Sequence, residues 1–191
     1  MLINNIIYTL ILRIIEIVMI KTRIYLFFII FLNCFNLTAS ENITDIKSML
    51  EGRYELVYWK QDNLKFNYPK VAGTLVLKNN KISFTLDSNM KENETVKIIG
   101  WGNYSLSVNE YNYGYFDFKK MTYNGVDMNV NKTLPWQGMR KYSILLKNNK
   151  LLLTSSTGKQ TWELDKKSLI YTDKEWGEEK NQVIRYWKRI E

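Results

Sequence analysis

A change from helical to alternating apolar and polar period after Gly52 predicts an all-β fold. The expected form is a single antiparallel up-and-down barrel with a short N-terminal helix, preceded by an apolar signal segment. Three observations carry that expectation. Short alternating runs are separated by turn residues at roughly 8–12-residue intervals. Asn-Asn pairs stand where tight hairpins need them. The first forty residues differ sharply in composition from the rest.

Met1 to Ile20 and Ile24 to Leu37 are dominated by Ile, Leu and Phe. The second run has export-signal anatomy: Lys21 and Arg23 form a basic start, Ile24 to Leu32 an apolar middle, and Thr38, Ala39 and Ser40 a small-residue cut site. Residues 1–40 are therefore assigned to the signal region, with cleavage near Ser40, and residues 41–191 to the barrel domain. Met19 is a natural start for such a signal, which makes residues 1–18 an extension upstream of it. The alternative is a retained membrane anchor. Against it, Arg13 and Glu16 interrupt the first run, and the second is short of the ~20 residues a span requires.

Cys34 is the single cysteine. Leu32 and Asn33 before it do not suit a lipid-attachment site, which prefers small residues there. A leader cut at Ser40 removes Cys34, so disulfides are excluded and the domain must be held by burial alone. The chain has 27 basic and 19 acidic residues; the leader takes three bases and one acid with it, leaving a formal charge of +6. Basic residues come in ones and twos among acids, which suits weak attraction to anionic ligands or membrane surfaces and gives no nucleic-acid footprint.

In chain order, Asn42 to Leu50 predicts a short helix capped by Thr44, with Ile46, Met49 and Leu50 on one face and Gly52 ending it. Arg53 to Trp59 predicts a strand with Tyr54, Leu56 and Tyr58 on one side and Val57 and Trp59 on the other. Gly73–Lys78 and Lys81–Asp87 form a hairpin turning at Asn79-Asn80, with Leu75, Leu77, Ile82, Phe84 and Leu86 inward. Ser88 to Thr95 reads as a polar break. Strands follow over Gly102–Val108, the aromatic Tyr113–Tyr123 and Val126–Lys132. A second hairpin, Met139–Lys147 and Lys150–Ser155, turns at Asn148-Asn149. Lys159–Leu164 is a strand, Asp173–Asn181 a charged loop, and Gln182–Ile190 the closing strand. Pro69 and Pro135 fall in connections. The total is about eight to ten strands, as a closed sheet without exposed edges would use.

Four pieces of the domain resemble the bacterial lipocalin-like domain, one of the calycin barrels. Leu50-Glu51-Gly52-Arg53-Tyr54-Glu55-Leu56-Val57 resembles its first strand. Ala72-Gly73-Thr74-Leu75-Val76-Leu77, with Lys81 to Leu86, resembles its second and third. Gly100-Trp101-Gly102-Asn103-Tyr104 resembles the start of its fourth. Pro135-Trp136-Gln137-Gly138-Met139-Arg140-Lys141-Tyr142, Leu151-Leu152-Leu153 and Tyr186-Trp187-Lys188-Arg189 resemble the later ones. The chain departs from the family where Tyr54 replaces the usual Trp and where Ser156 to Asn181 is longer than the pattern. The resemblance implies a barrel with an interior cavity, closed at one end by the helix. It also implies that Arg185 or Arg189, near Trp187, stacks over Tyr54 at that end. It implies no single activity: most members bind small apolar molecules or have no established role, and a few similar barrels are isomerases or cyclases.

The residue inventory narrows the chemistry. There is no histidine, which excludes Ser-His-Asp and Cys-His catalysis and most zinc sites. No Gly-rich phosphate loop or Gly-x-Ser-x-Gly elbow occurs, and Ser155, Ser156 and Thr157 before Gly158 read as turn residues. No cofactor and no metal is expected. Asp117 and Asp127 adjoin large aromatics; facing inward they could act as acid or base, and facing outward they are surface carboxylates. Asn-x-Ser/Thr triplets at Asn42, Asn93 and Asn103 are acceptors for glycans in a eukaryotic secretory setting alone.

Six tryptophans remain after the leader: Trp59, Trp101, Trp136, Trp162, Trp176 and Trp187. Together with Tyr104, Tyr113, Tyr115 and Tyr142 they either line a cavity or fill the barrel. The candidate ligand-binding residues are Tyr104, Tyr115, Trp136, Arg140 and Tyr142, with Arg140 either orienting a ligand or bonding at the surface. The expected function is an exported binder of a small apolar or amphipathic ligand. The alternatives are a filled barrel that docks envelope components or a protein partner, and a cofactor-free isomerase or cyclase using cavity carboxylates and tyrosines.

Overall fold

The computed structural model describes Met19 and residues 43–191 except Glu178; apart from Met19, the predicted signal region lies outside the described residues, and so do Cys34 and the cut expected near Ser40. Helix α1 covers residues 43–50 and buries Ile46, Met49 and Leu50, the face its spacing predicted. Thr44 lies within the helix rather than ahead of it.

Twelve strands follow among the described residues: β1 (Gly52–Gln61), β2 (Leu64–Asn67), β3 (Val71–Lys78), β4 (Lys81–Lys91), β5 (Glu94–Leu106), β6 (Glu110–Tyr123), β7 (Met128–Asn131), β8 (Arg140–Lys147), β9 (Lys150–Ser155), β10 (Gln160–Leu164), β11 (Ser168–Trp176) and β12 (Asn181–Arg189). All pair antiparallel, and β1 bonds to β12, so ten of them close into an up-and-down barrel compatible with a calycin-like fold. The other two are short: β2 extends beside the second half of β1, and β7 pairs with the end of β6. The hairpin tips at Asn79-Asn80 and Asn148-Asn149 both hold positive φ, between 51° and 61°, as the sequence predicted.

Several expectations need correction. The polar break at Ser88–Thr95 is hairpin: β4 runs on to Lys91 and β5 starts at Glu94, with Asn93 at φ 61° making the turn. The charged loop predicted over Asp173–Asn181 is strand up to Trp176 and resumes as strand at Asn181. Polar residues hid both elements, because the ladder bonds through backbone and tolerates them wherever a side chain finds water or a partner.

Two bulges change which face a residue occupies. The first shifts register between Leu56 and Tyr58, so Trp59 joins Tyr54 and Leu56 in the core while Tyr58 stays partly exposed. Simple alternation had placed Trp59 opposite them. The second lies between Trp101 and Gly102: Trp101 pairs with Asp117 and Gly102 with Tyr115, leaving Phe116 as the extra residue, 63% exposed. Tyr111, Tyr113 and Tyr115 face the interior; past the bulge Phe118 does so, and Asp117 is turned to solvent. Asp127 is exposed as well.

The helix closes one end. Tyr54 Oη, fully buried, donates to the carbonyls of Leu50 at 3.0 Å and Met49 at 3.2 Å, satisfying acceptors that a helix C-terminus leaves free. Arg189 donates to the carbonyls of Ser48 and Glu51, with its guanidinium 5.9 Å from the centre of the Tyr54 ring. A cation there also meets the negative end of the helix dipole. The Glu51 carboxylate accepts from Tyr104 Oη and the Asn79 amide, tying the plug to β5 and to the β3–β4 turn.

Close approach around the second bulge depends on glycine. A Cβ on Gly102 would sit 2.0 Å from the Gly114 carbonyl oxygen, and one on Gly114 would sit 2.5 Å from that of Gly138. Gly102→Ala is expected to destabilise the barrel by about 1–3 kcal/mol, the usual cost of overpacking, measured as a lower denaturant midpoint. Arg189→Met is expected to cost a similar amount, about 1.5–3 kcal/mol, because charge-assisted bonds to the Ser48 carbonyl in the helix and the Glu51 carbonyl just after it are lost.

Candidate functional site

The interior is mostly filled by aromatic rings and leaves, among the described residues, an apolar cavity of about 120 Å³. Tyr111, Tyr113, Tyr142 and Trp162 form a continuous cluster with ring centres 5.4–6.2 Å apart. Tyr113 packs edge-on to Trp136, and Tyr115 lies 5.0 Å from Trp136, centre to centre. The cavity begins where this cluster ends. Its walls include Phe84, Leu86, Ile98, Tyr115, Phe118, Trp136, Trp162, Trp176 and Trp187.

Two of its lining residues are cations and none is a carboxylate. Arg140, at the start of β8, stacks on Trp136 with its guanidinium carbon 3.8 Å from the ring centre, and donates from Nη1 to Gln160 Oε1 at 3.0 Å. Gln160 Oε1 also accepts from Tyr142 Oη at 2.7 Å, and Gln160 Nε2 donates to Asp173 Oδ2 at 2.8 Å. Asp173 is buried and further accepts from Tyr171 Oη and the Glu175 amide. Arg140, Tyr142, Gln160, Asp173 and Tyr171 thus form one polar chain across β8, β10 and β11. Arg140 and Asp173 are its two charges, linked through Gln160, and no buried side-chain atom of either is left without a hydrogen-bond partner.

Arg185, on β12, is different. Its register neighbours are Trp59 on β1 and Tyr171 on β11. The guanidinium carbon lies 4.1 Å from the ring centre of Trp59, 4.3 Å from that of Trp176 and 5.3 Å from that of Tyr171. Its Nε and Nη2 are buried and have no hydrogen-bond partner. Burial pushes the guanidinium below its ordinary value; Tyr171, Tyr115, Tyr113 and Asp173 pull the other way. The rings supply cation–π attraction of roughly 2 kcal/mol or more where water is excluded, but rings accept nothing from the in-plane N–H groups.

The sequence-predicted residues divide accordingly. Tyr115, Trp136 and Arg140 line the cavity. Tyr142 lies behind the wall, its hydroxyl on Gln160. Tyr104 sits at the plugged end on Glu51, packed against Tyr111. Of the two arginines near Trp187, Arg189 takes the place over Tyr54 and Arg185 enters the barrel. Sequence reasoning missed Gln160 and Asp173. The period-two series Leu169, Tyr171, Asp173 carried the signal, and it was obscured by the charged residues that follow. Among the described residues no three His, Cys, Asp or Glu side chains converge to hold a metal ion.

Compared with known proteins, the chain matches no family model, no curated protein and no solved structure.

Burial raises the pKa of seven tyrosines, opposing their ionisation. Tyr54 is pushed up to about 12, and Tyr104, Tyr111, Tyr113, Tyr115, Tyr142 and Tyr171 all move upward from 10.0. Once pH exceeds 10.0 the unfolded chain releases these protons while the folded chain keeps them. The unfolded state then binds fewer protons, so stability falls as pH rises. Denaturant melts are expected to show a flat midpoint below that range and a steep loss between it and about 12, in step with a late, cooperative rise in tyrosinate absorbance. The slope gains up to ~1.4 kcal/mol per pH unit for each tyrosine that ionises in the unfolded chain alone.

Proposed function

We propose that this chain is an exported, lipocalin-like binding protein that holds one small apolar or amphipathic molecule inside its barrel without transforming it. The observation that carries this reading is the aromatic-walled cavity of about 120 Å³, open to ligand chemistry at two cationic side chains. An apolar cavity of roughly 150 Å³ takes up benzene, so the space suits a molecule of about one ring or a short chain. That is well below the roughly 300–1,000 Å³ of drug-sized sites. Export is supported by the basic, apolar and small-residue order of Lys21 to Ser40.

Binding without turnover is favoured over the isomerase or cyclase reading. Asp117 and Asp127, the carboxylates that reading needed inside, are exposed, and the cavity wall has none of its own. The buried carboxylate, Asp173, already accepts three hydrogen bonds.

Native mass spectrometry of protein purified from its source is expected to show the chain with a small-molecule adduct. Ile98→Trp, which fills the cavity from its wall, is expected to remove the adduct while the β circular-dichroism spectrum persists. A bare chain mass, together with tryptophan fluorescence indifferent to benzyl alcohol, would overturn the reading.

A further inference from the structure

Resting on that binding reading, we infer that Arg185 is an anion receptor and that the barrel's ligand is a small monocarboxylate, with a compact apolar body held in the aromatic cavity. Arg140 and Asp173 belong to one bonded chain, joined through Gln160, whereas Arg185 has two buried donors without a partner and feels Asp173 only at a distance. Among the described residues no carboxylate comes within ion-pair distance of it, and none lines the cavity it borders.

Geometry then selects the anion. Nε and Nη2, the two unpartnered nitrogens, lie on the same edge of the guanidinium, one of the two edges whose N–H bonds run parallel. Two parallel donors match the two oxygens of a carboxylate in a bidentate pair. Trp59 and Trp176 pack on the guanidinium, and their rings hold it without competing for those donors. An ionised group buried with donors unmet is costly, and a bound carboxylate removes that cost by supplying both charge and acceptors.

Size sets the rest of the molecule. A cavity of about 120 Å³ leaves room for a single ring or a chain of a few carbons behind the carboxylate. Leu86, Ile98 and Trp176 line both this cavity and a wider outer groove of about 560 Å³.

The test compares pairs of equal size that differ in charge: benzoate with benzyl alcohol for the ring, hexanoate with hexanol for the chain. Binding to the full domain is read by tryptophan quenching and calorimetry. Wild-type protein is expected to prefer the acid over the alcohol by about tenfold or more in at least one pair, and the pair that shows it identifies ring or chain. Arg185→Met keeps the bulk and removes the charge; it is expected to reduce the preference to about one by weakening the acid far more than the alcohol. Arg185→Lys, charged but lacking the two-donor edge, is expected to fall between. Thermal melts should show Arg185→Met at least as stable as wild type, since it deletes a partly buried cation with two buried, unmet donors. Acid and alcohol binding equally well to wild type would overturn the anion receptor and leave the binding reading standing. A preference that survives Arg185→Met would also overturn it. No binding of any of the four compounds would overturn both.

Discussion

The pairing of β1 with β12 is the constraint on which the rest depends. Arg53, Tyr54, Leu56 and Trp59 on one strand meet Ile190, Arg189, Trp187 and Arg185 on the other through backbone bonds. Closing the sheet there removes its free edges, and gives every inward side chain a common interior. It also brings the two ends of the domain together, so that Arg189 can bond to helix α1 and Arg185 can lie between Trp59 and Trp176. Both arginines sit on one strand four residues apart, yet one serves the plug and the other the cavity.

The aromatic content explains how a ten-stranded barrel avoids a large void. Rings are broad and stiff, and offset or edge-on contacts let several of them fill the inside from β6, β8, β10 and β11. That packing is dense near Tyr111 and Tyr113 and loosens toward Trp136 and Trp187, where the remaining space lies. The plugged half and the hollow half therefore differ in what they can do. The first supplies stability through burial; the second leaves a guanidinium beside apolar walls.

Much of this was legible from the residues. The hairpins at Asn79-Asn80 and Asn148-Asn149, the buried face of α1 and the inward series Leu75, Leu77, Ile82 and Leu86 follow from local rules. Tyr115, Trp136 and Arg140 were recognisable as cavity candidates because large aromatics and an isolated cation share a short stretch. The bulges were not legible. One extra residue inverts every position after it, which is why Trp59 entered the core and Asp117 left it. Nor did sequence reveal that Tyr104 belongs to the plug, since its partner Glu51 lies more than fifty positions away.

Sequence alone determined the class of architecture, because period-two patterning and turn residues act between near neighbours and need no knowledge of the whole. It also determined which chemistries are absent, since a chain without histidine cannot supply an imidazole. Tertiary structure alone decided which charged side chains are paired. Asp173 finds Gln160 and Tyr171, Arg140 finds Gln160, and Arg185 finds only ring faces, because each partner arrives from a different strand when the sheet closes. Electrostatic environment is a property of distance in space and of exclusion of water, and neither is written in the order of residues along the chain.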